Sequence, residues 1–170
     1  QRARDLITTM LPNLLSRLAA RPNPDGTFTR FDQFITALPA GVQPLSLFQR
    51  NPHLLDRVAN VLSASARLAE YLTRAPNALE GLLYEEPISA PLARLRALLR
   101  EEQALEDVIE TVRRTVREVD FSVSVATMEN RLDTNGAGVR RSRLAEAALN
   151  GLLGPVLRDF ASRHGKVPGG

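Results

Sequence analysis

Apolar residues recur every three or four positions along most of the chain, the period of one face of an α-helix. The longest such run continues for about six turns. It contains Leu105, Val108, Ile109, Val112, Val116, Val119, Val123 and Ala126. Charged residues fill the positions between, and Glu110 and Arg114 have the i,i+4 spacing of a helical ion pair. The pattern predicts one long amphipathic helix.

The end of this run also fits a strand, because apolar residues alternate at Val119, Phe121, Val123 and Val125. A half-buried strand shows that period of two. The length of the run and the helical period before it favour the helix.

Shorter helices are predicted before this run. A helix over residues 1–20 has apolar residues at four-residue spacing, and Pro12 should kink or end it. These residues are Leu6, Met10, Leu14 and Leu18. A loop over 21–26 follows, and Thr27 or Thr29 is expected to cap a helix that contains Phe31, Phe34, Ile35 and Leu38.

Prolines and polar caps mark the next helix starts. Pro44 is predicted to open one helix, and Asn51-Pro52 combines an N-cap with a proline at the first helical position. Ser65 should cap the following helix, and Pro76 should begin another. A further helix is expected to carry Leu92, Leu95, Leu98 and Leu99.

The C-terminal part predicts a turn over residues 133–138 and a last helix over 139–163. Gly151, Gly154 and Pro155 should weaken this helix. Its predicted apolar stripe consists of Leu144, Ala148, Leu152, Val156 and Phe160.

Together these elements predict an all-α fold, an irregular bundle of about eight helices with one long amphipathic helix. We expect residues 1–26 to form an N-terminal helix and loop, residues 27–165 a helical bundle domain, and residues 166–170 a terminal loop.

Composition narrows the function classes. The absence of cysteine excludes disulfides and thiolate chemistry. The net charge is only +3, Lys166 is the single lysine, and acidic and basic residues are mixed, so nucleic-acid binding is not expected. No apolar run reaches the roughly 18–20 residues of a membrane span, and no signal peptide is evident. We therefore expect a cytoplasmic protein that does not bind membranes.

The titratable residues offer little chemistry. Glu102, Glu106 and Glu110 repeat on one helix face, but a di-iron bundle would need Glu-x-x-His pairs, and no histidine lies near. A solvated face is expected instead. His53 and His164 are the only histidines, and His164 is expected in a last helical turn, where the helix dipole favours a cation.

Residues 135–138, Asn-Gly-Ala-Gly, lack the Gly-Lys-Ser/Thr ending and the preceding strand of a phosphate-binding loop. Arg140, Arg141 and Arg143 could receive an acidic partner or a phosphate, although a solvated cluster is the commoner outcome. No Gly-x-Ser-x-Gly elbow is present. The sequence therefore assigns no catalytic, cofactor-binding or metal-binding residue.

The order of short segments carries a family resemblance. They are Leu38-Pro39-Ala40-Gly41-Val42-Gln43, Leu45-Ser46-Leu47, Asn51-Pro52, Leu54-Leu55-Asp56, Leu68-Ala69, Tyr71-Leu72, Arg74-Ala75-Pro76 with Leu79, Glu106-Asp107-Val108, Leu144-Ala145-Glu146-Ala147, Phe160-Ala161 and Arg163-His164-Gly165. In this order the chain resembles the helical segment of bacterial glutamine synthetase adenylyltransferases. It is more similar to the segment before the adenylylating half than to that before the homologous deadenylylating half.

The resemblance implies a parent enzyme that uses Mg²⁺ and ATP to transfer AMP to a tyrosine of glutamine synthetase, and removes it, in nitrogen regulation. It implies as partners glutamine synthetase, the PII signal protein and an adjacent nucleotidyltransferase domain, toward which residues 166–170 would lead. The family's Gly-Lys-Leu-Gly-Gly turn and magnesium-binding Ser-Asp-x-Asp motif are not present here. The chain would then be a non-catalytic segment that positions the catalytic domain. The alternative is a free-standing helical adaptor without enzymatic role.

Overall fold

The protein is mostly helical in the part of the chain that a computed structural model describes, residues 12–38, 44–75, 78–84, 95, 97 and 104–165. No strand occurs in these ranges, which confirms the predicted all-α class. We number the helices α1 (12–19), α2 (Pro24–Ala37), α3 (Pro44–Arg50), α4 (Pro52–Ala64), α5 (Ala66–Arg74), α6 (Ala78–Tyr84), α7 (Leu105–Met128) and α8 (Thr134–His164). Leu95 and Ala97 are also helical.

The contacts divide the chain into two compact units, residues 1–86 and 87–170. The sequence pattern does not predict this division. The domain boundaries predicted after residues 26 and 165 stay a prediction. Several further predictions fall outside the described residues: the helix over 1–11, the helix start at Pro76, and most of the helix around Leu92.

In the first unit, α2, α4 and α5 pack against one another, and α3 and α6 pack against α4. Phe31 lies between two other rings, with its ring centre 6.5 Å from Phe34 and 6.2 Å from Phe48. These residues share a core whose other fully buried members include Leu18, Val58, Val61, Leu62 and Leu72.

Helix α1 is held to this core by charge as well as by apolar contact. Leu14 and Leu18 are buried. Asp56 of α4 forms an ion pair with Arg17 and a second, at 3.7 Å, with Arg21 just beyond α1. The N-terminal helix is therefore part of the first unit.

The second unit is built on an antiparallel hairpin of α7 and α8. Val108 and Val112, early in α7, pack with Ala148, near the middle of α8. The later Val119 and Val123 pack with Ala137 and Leu144, near the start of α8. A short connection reverses the chain between the two helices, and in it Asn130 has a φ of 56°, in the left-handed region.

The predicted long amphipathic helix is confirmed as α7, with 24 residues. The strand alternative is wrong, because Val119, Phe121, Val123 and Val125 are all buried within one continuous helix. The predicted ion pair is also wrong in its partner: Glu110 pairs with Arg113 at 3.5 Å, not with Arg114.

Two helix starts differ from the prediction. Helix α2 begins at Pro24, where the Asn23 side chain accepts a hydrogen bond from the Gly26 amide at 3.1 Å. Thr27 and Thr29, predicted as caps, lie inside the helix, and their hydroxyls donate to the carbonyls of Asn23 and Asp25. An Asn-Pro pair gives both a cap and a proline at the first helical position, so the helix starts there.

Helix α8 likewise begins before residue 139, because Asp133 caps it by accepting from the Gly136 amide at 2.7 Å. The segment Asn135 to Gly138 is thus helical and not a turn. The helix also continues through Pro155 without a break.

Asn51 and Ser65 occupy the predicted N-cap positions of α4 and α5, but neither side chain makes a cap hydrogen bond. Asn51 instead donates from Nδ2 to the Leu47 carbonyl at 2.9 Å. Its amide group therefore stabilises the end of α3.

Candidate functional site

The described carboxylates mostly take part in local structure. Glu70 pairs with Arg74 at 2.8 Å, and Asp159 pairs with Arg163 at 3.0 Å, each one helical turn away. Glu106 and Glu110 are exposed on α7, as the sequence predicted, whereas Glu102 lies outside the described residues. Within the described ranges no group of three or more His, Asp or Glu side chains is arranged to hold a metal ion.

The two histidines lie in different units. His53 is exposed in the first turn of α4. His164 is exposed in the last turn of α8, where it was expected, and its ring centre lies 4.8 Å from that of Phe160.

The arginine cluster at the start of α8 is divided between two roles. Arg141 donates from Nε to Asp120 Oδ1 of α7 at 2.9 Å and from Nη2 to the Ser124 hydroxyl at 3.0 Å. Arg143 is exposed and lines a shallow open depression on α8. The other residues that line it are Thr134, Asn135, Gly138, Val139, Ser142 and Glu146. The described residues that line it all belong to one helix, and the depression is open to solvent.

Burial along α8 ends halfway along the helix. Its buried residues are Ala137, Leu144 and Ala148, and none of residues 149–164 is buried. Leu152 is partly buried against the core of the hairpin. Of the predicted stripe, Val156 and Phe160 are exposed, so the prediction is correct for its first half and wrong for its second.

The geometry of the helix explains this outcome. Each four-residue step advances about 400°, which is 40° beyond a full turn. The four steps from Leu144 to Phe160 therefore carry the stripe about 160° around the helix, away from α7. Helix α8 is also longer than α7 by about 10 Å, at 1.5 Å a residue, so its last turns extend past the partner helix.

A second apolar stripe shares Val156 and Phe160 with the predicted one and faces away from the hairpin core. Its five members are exposed by 44 to 69%: Leu149, Leu153, Val156, Leu157 and Phe160. They lie at positions i, i+4, i+7, i+8 and i+11, so they span only about 100° of the helix surface. The spacing is present in the sequence, but the predicted stripe follows four-residue steps from Leu144 and therefore omits Leu149, Leu153 and Leu157.

We call these five residues the α8 stripe. Five large side chains on one helix face cannot move protons or hold metal ions, but they suit the burial of apolar area against another surface. Of the features described above, the α8 stripe is the strongest candidate for a functional surface. Among the described helices, none combines the length and apolarity needed to cross a membrane.

Comparison with known proteins gives matches to one family of enzymes. Residues 55–169 match a family model described as glutamate–ammonia ligase adenylyltransferase. Similar curated proteins are bifunctional glutamine synthetase adenylyltransferase/adenylyl-removing enzymes. One from Mesorhizobium japonicum is 37% identical over 99% of this chain. Those from Brucella suis and Caulobacter vibrioides are 36% and 30% identical, over 98% and 99% of it.

This chain spans less than a fifth of these relatives: 18% of the Mesorhizobium and Brucella proteins and 17% of the Caulobacter protein. No solved structure matches the chain.

Proposed function

The chain belongs to the glutamate–ammonia ligase adenylyltransferase family, and from that premise we propose that it is a non-catalytic helical segment of such an enzyme. Its role is to hold a nucleotidyltransferase domain of the same polypeptide in position and to aid recognition of glutamine synthetase. The observation that supports this role most directly is the match of nearly the whole chain to less than a fifth of each relative.

The use of the polar side chains also supports a structural role. Asp56 binds the end of α1, Asp120 binds α8, and Asp133 caps α8. Nucleotidyl transfer needs carboxylates that hold a metal ion beside the substrate phosphates. Carboxylates that join helices are already committed to other partners.

In this proposal the whole enzyme works in the cytoplasm with Mg²⁺ and ATP. It transfers AMP to a tyrosine of glutamine synthetase and removes it, under the control of the PII signal protein. The segment itself binds neither nucleotide nor metal.

The first experiment compares the isolated chain with the full-length protein from the same gene. Transfer of labelled AMP to glutamine synthetase, and its removal, are measured for both, together with titration of Mg-ATP by calorimetry. We expect activity only from the full-length protein. The isolated chain should show no more than weak, salt-sensitive attraction of ATP to its arginines. Micromolar ATP affinity or labelled product from the isolated chain would contradict the proposal.

A deletion tests the positioning role. Removal of the segment from the full-length protein should lower AMP transfer to glutamine synthetase, while Mg-ATP still binds to the remaining domains. Unchanged transfer after the deletion would show that the segment does not position the catalytic domain and would favour an independent adaptor.

A further inference from the structure

We propose that the α8 stripe is the docking surface for another domain of the same adenylyltransferase polypeptide. The proposal rests on the proposed function and adds to it the surface through which the segment holds its neighbour. The occupant is a tethered domain that presents an apolar groove or helix face.

The geometry of the α8 stripe is that of a contact face. Leu149, Leu153 and Leu157 follow one another at four-residue steps, and Val156 and Phe160 lie beside them. Anchors at i, i+4, i+7 and i+11 are the pattern by which an amphipathic helix fits a hydrophobic groove or a second helix. The ring of His164, 4.8 Å from that of Phe160, extends the face by one more turn.

The packing of α8 indicates that this face needs a partner. None of residues 149–164 is fully buried, although they form half of a 31-residue helix, and Leu152 is only partly buried against the hairpin core. In proteins most of the stability of a helix comes from the packing of its apolar face. Moreover, Pro155 supplies no backbone donor, so one hydrogen bond of this half is missing. A surface that buries the α8 stripe would stabilise the half of the helix that the hairpin core does not.

The lengths of the relatives favour a tethered domain as the occupant. The similarity to the Mesorhizobium protein extends over 99% of this chain, so it includes α8, yet the matched segment is only 18% of that protein. A domain joined by a short linker has an effective concentration in the millimolar range. A second copy of the protein, or a separate partner, would have to compete at far lower concentration. The tethered domain therefore occupies the face first.

The rate at which an introduced thiol is alkylated tests whether a tethered domain covers the α8 stripe. The chain contains no cysteine of its own, so the introduced thiol is the only one in it. Leu153→Cys places a thiol at the centre of the α8 stripe. The matched control is Ser162→Cys, at an exposed position nine residues on and about 180° around the helix. Both variants are prepared in the isolated chain and in the full-length protein, without substrates. Alkylation by iodoacetamide is then quantified by mass spectrometry of the peptide that contains each site.

We expect the thiol of L153C to react in the full-length protein at least about tenfold more slowly than in the isolated chain. The thiol of S162C should react at similar rates in both. Equal rates for L153C in the two proteins would overturn the proposal. It would also be overturned if the L153C thiol in the isolated chain reacted more slowly as that chain is concentrated, since a second copy would then be the occupant.

The protection measured here is independent of AMP transfer. If the full-length protein protects position 153 but does not modify glutamine synthetase, the docking surface stands and the proposed enzymatic role fails. If transfer is observed but position 153 is not protected, the enzymatic role stands and the docking surface fails.

Discussion

The Arg141 guanidinium on α8 bridges two residues of α7, since Nε donates to Asp120 Oδ1 at 2.9 Å and Nη2 to the Ser124 hydroxyl at 3.0 Å. Asp120 and Ser124 lie one turn apart on α7. A planar guanidinium that binds both fixes how far α8 can slide along α7. The contact therefore sets the register of a hairpin whose core consists mainly of small and β-branched side chains.

Replacement of this arginine should have a small, measurable effect. The Arg141 and Asp120 side chains are 43 and 23% exposed, so water screens their attraction, and Arg141→Met should lower the free energy of unfolding by about 1 kcal/mol or less. Arg143→Met, at an exposed position on the same helix, should cost less still. Urea denaturation measures both, and an equal or greater loss for Arg143→Met would argue against a register role for Arg141.

A charge at the centre of the hairpin core should have a large effect. Val112 is buried beside Leu95 and Ala148, so Val112→Asp leaves a carboxylate without a partner and should cost about 3 kcal/mol or more. Ile109→Asp, on the same helix at a position that is 37% exposed, should cost about 1 kcal/mol. Thermal unfolding followed by circular dichroism tests the pair, and an unchanged melting temperature for Val112→Asp would refute the assigned core.

The two Asn-Pro starts should respond in opposite directions to the same substitution. Asn23→Asp keeps an oxygen that accepts from the Gly26 amide and adds a negative charge at the start of α2, so it should be neutral or stabilise by about 0.3–1 kcal/mol. Asn51→Asp removes the Nδ2 donor to the Leu47 carbonyl and places a carboxylate there, which should cost about 1 kcal/mol.

The free energies of unfolding of these two variants show whether each asparagine side chain caps the helix that follows it. A gain for Asn51→Asp as large as that for Asn23→Asp would show that the residue 51 side chain turns towards α4 and caps it, in conflict with the observed hydrogen bond.

Two glycines at the start of α8 should respond differently to replacement by alanine. An added Cβ at Gly138 would meet no atom within 4 Å, so Gly138→Ala should stabilise the helix by about 0.5–1 kcal/mol. A Cβ at Gly136 would lie 2.8 Å from both Asp133 Oδ1 and Leu132 Cδ1, so Gly136→Ala must displace the capping carboxylate.

For Gly136→Ala we therefore expect no gain, and a stability about 1 kcal/mol or more below that of Gly138→Ala. Equal stabilisation by the two substitutions, measured by chemical denaturation, would mean that the Asp133 cap contributes nothing.

The sequence predicted most of the buried face of α7, because its apolar steps mix three and four residues, although Leu105 and Val116 are only partly buried. Such steps average close to the helical period, so Val108, Val112 and Val119 remain on one face. The stripe predicted on α8 has four-residue steps only and leaves the core after Leu152, which is itself only partly buried. The period of a pattern, counted over several turns, decides whether a prediction of burial holds.

The helix caps show that local sequence is insufficient to predict which hydrogen bonds a capping side chain makes. The sequence analysis predicts a helix start at Asn51-Pro52 but not at Asn23-Pro24, although the local signal is the same. What each amide does, however, depends on its neighbours: Asn51 follows directly after α3, so the Leu47 carbonyl lies within reach. The Arg141 contact, whose partners are 17 and 21 residues away, had no local signal at all.

The end of burial at Ala148 divides α8 into two thermodynamic regimes within one continuous helix. Backbone amides before that residue can exchange with solvent only when the hairpin opens, whereas those near Phe160 need only fraying from the C-terminus. In the isolated chain, protection from hydrogen exchange should therefore fall steeply along a single continuous helix. Any surface that later binds the frayed half must supply the free energy to order it, so its measured affinity will understate the strength of its contacts.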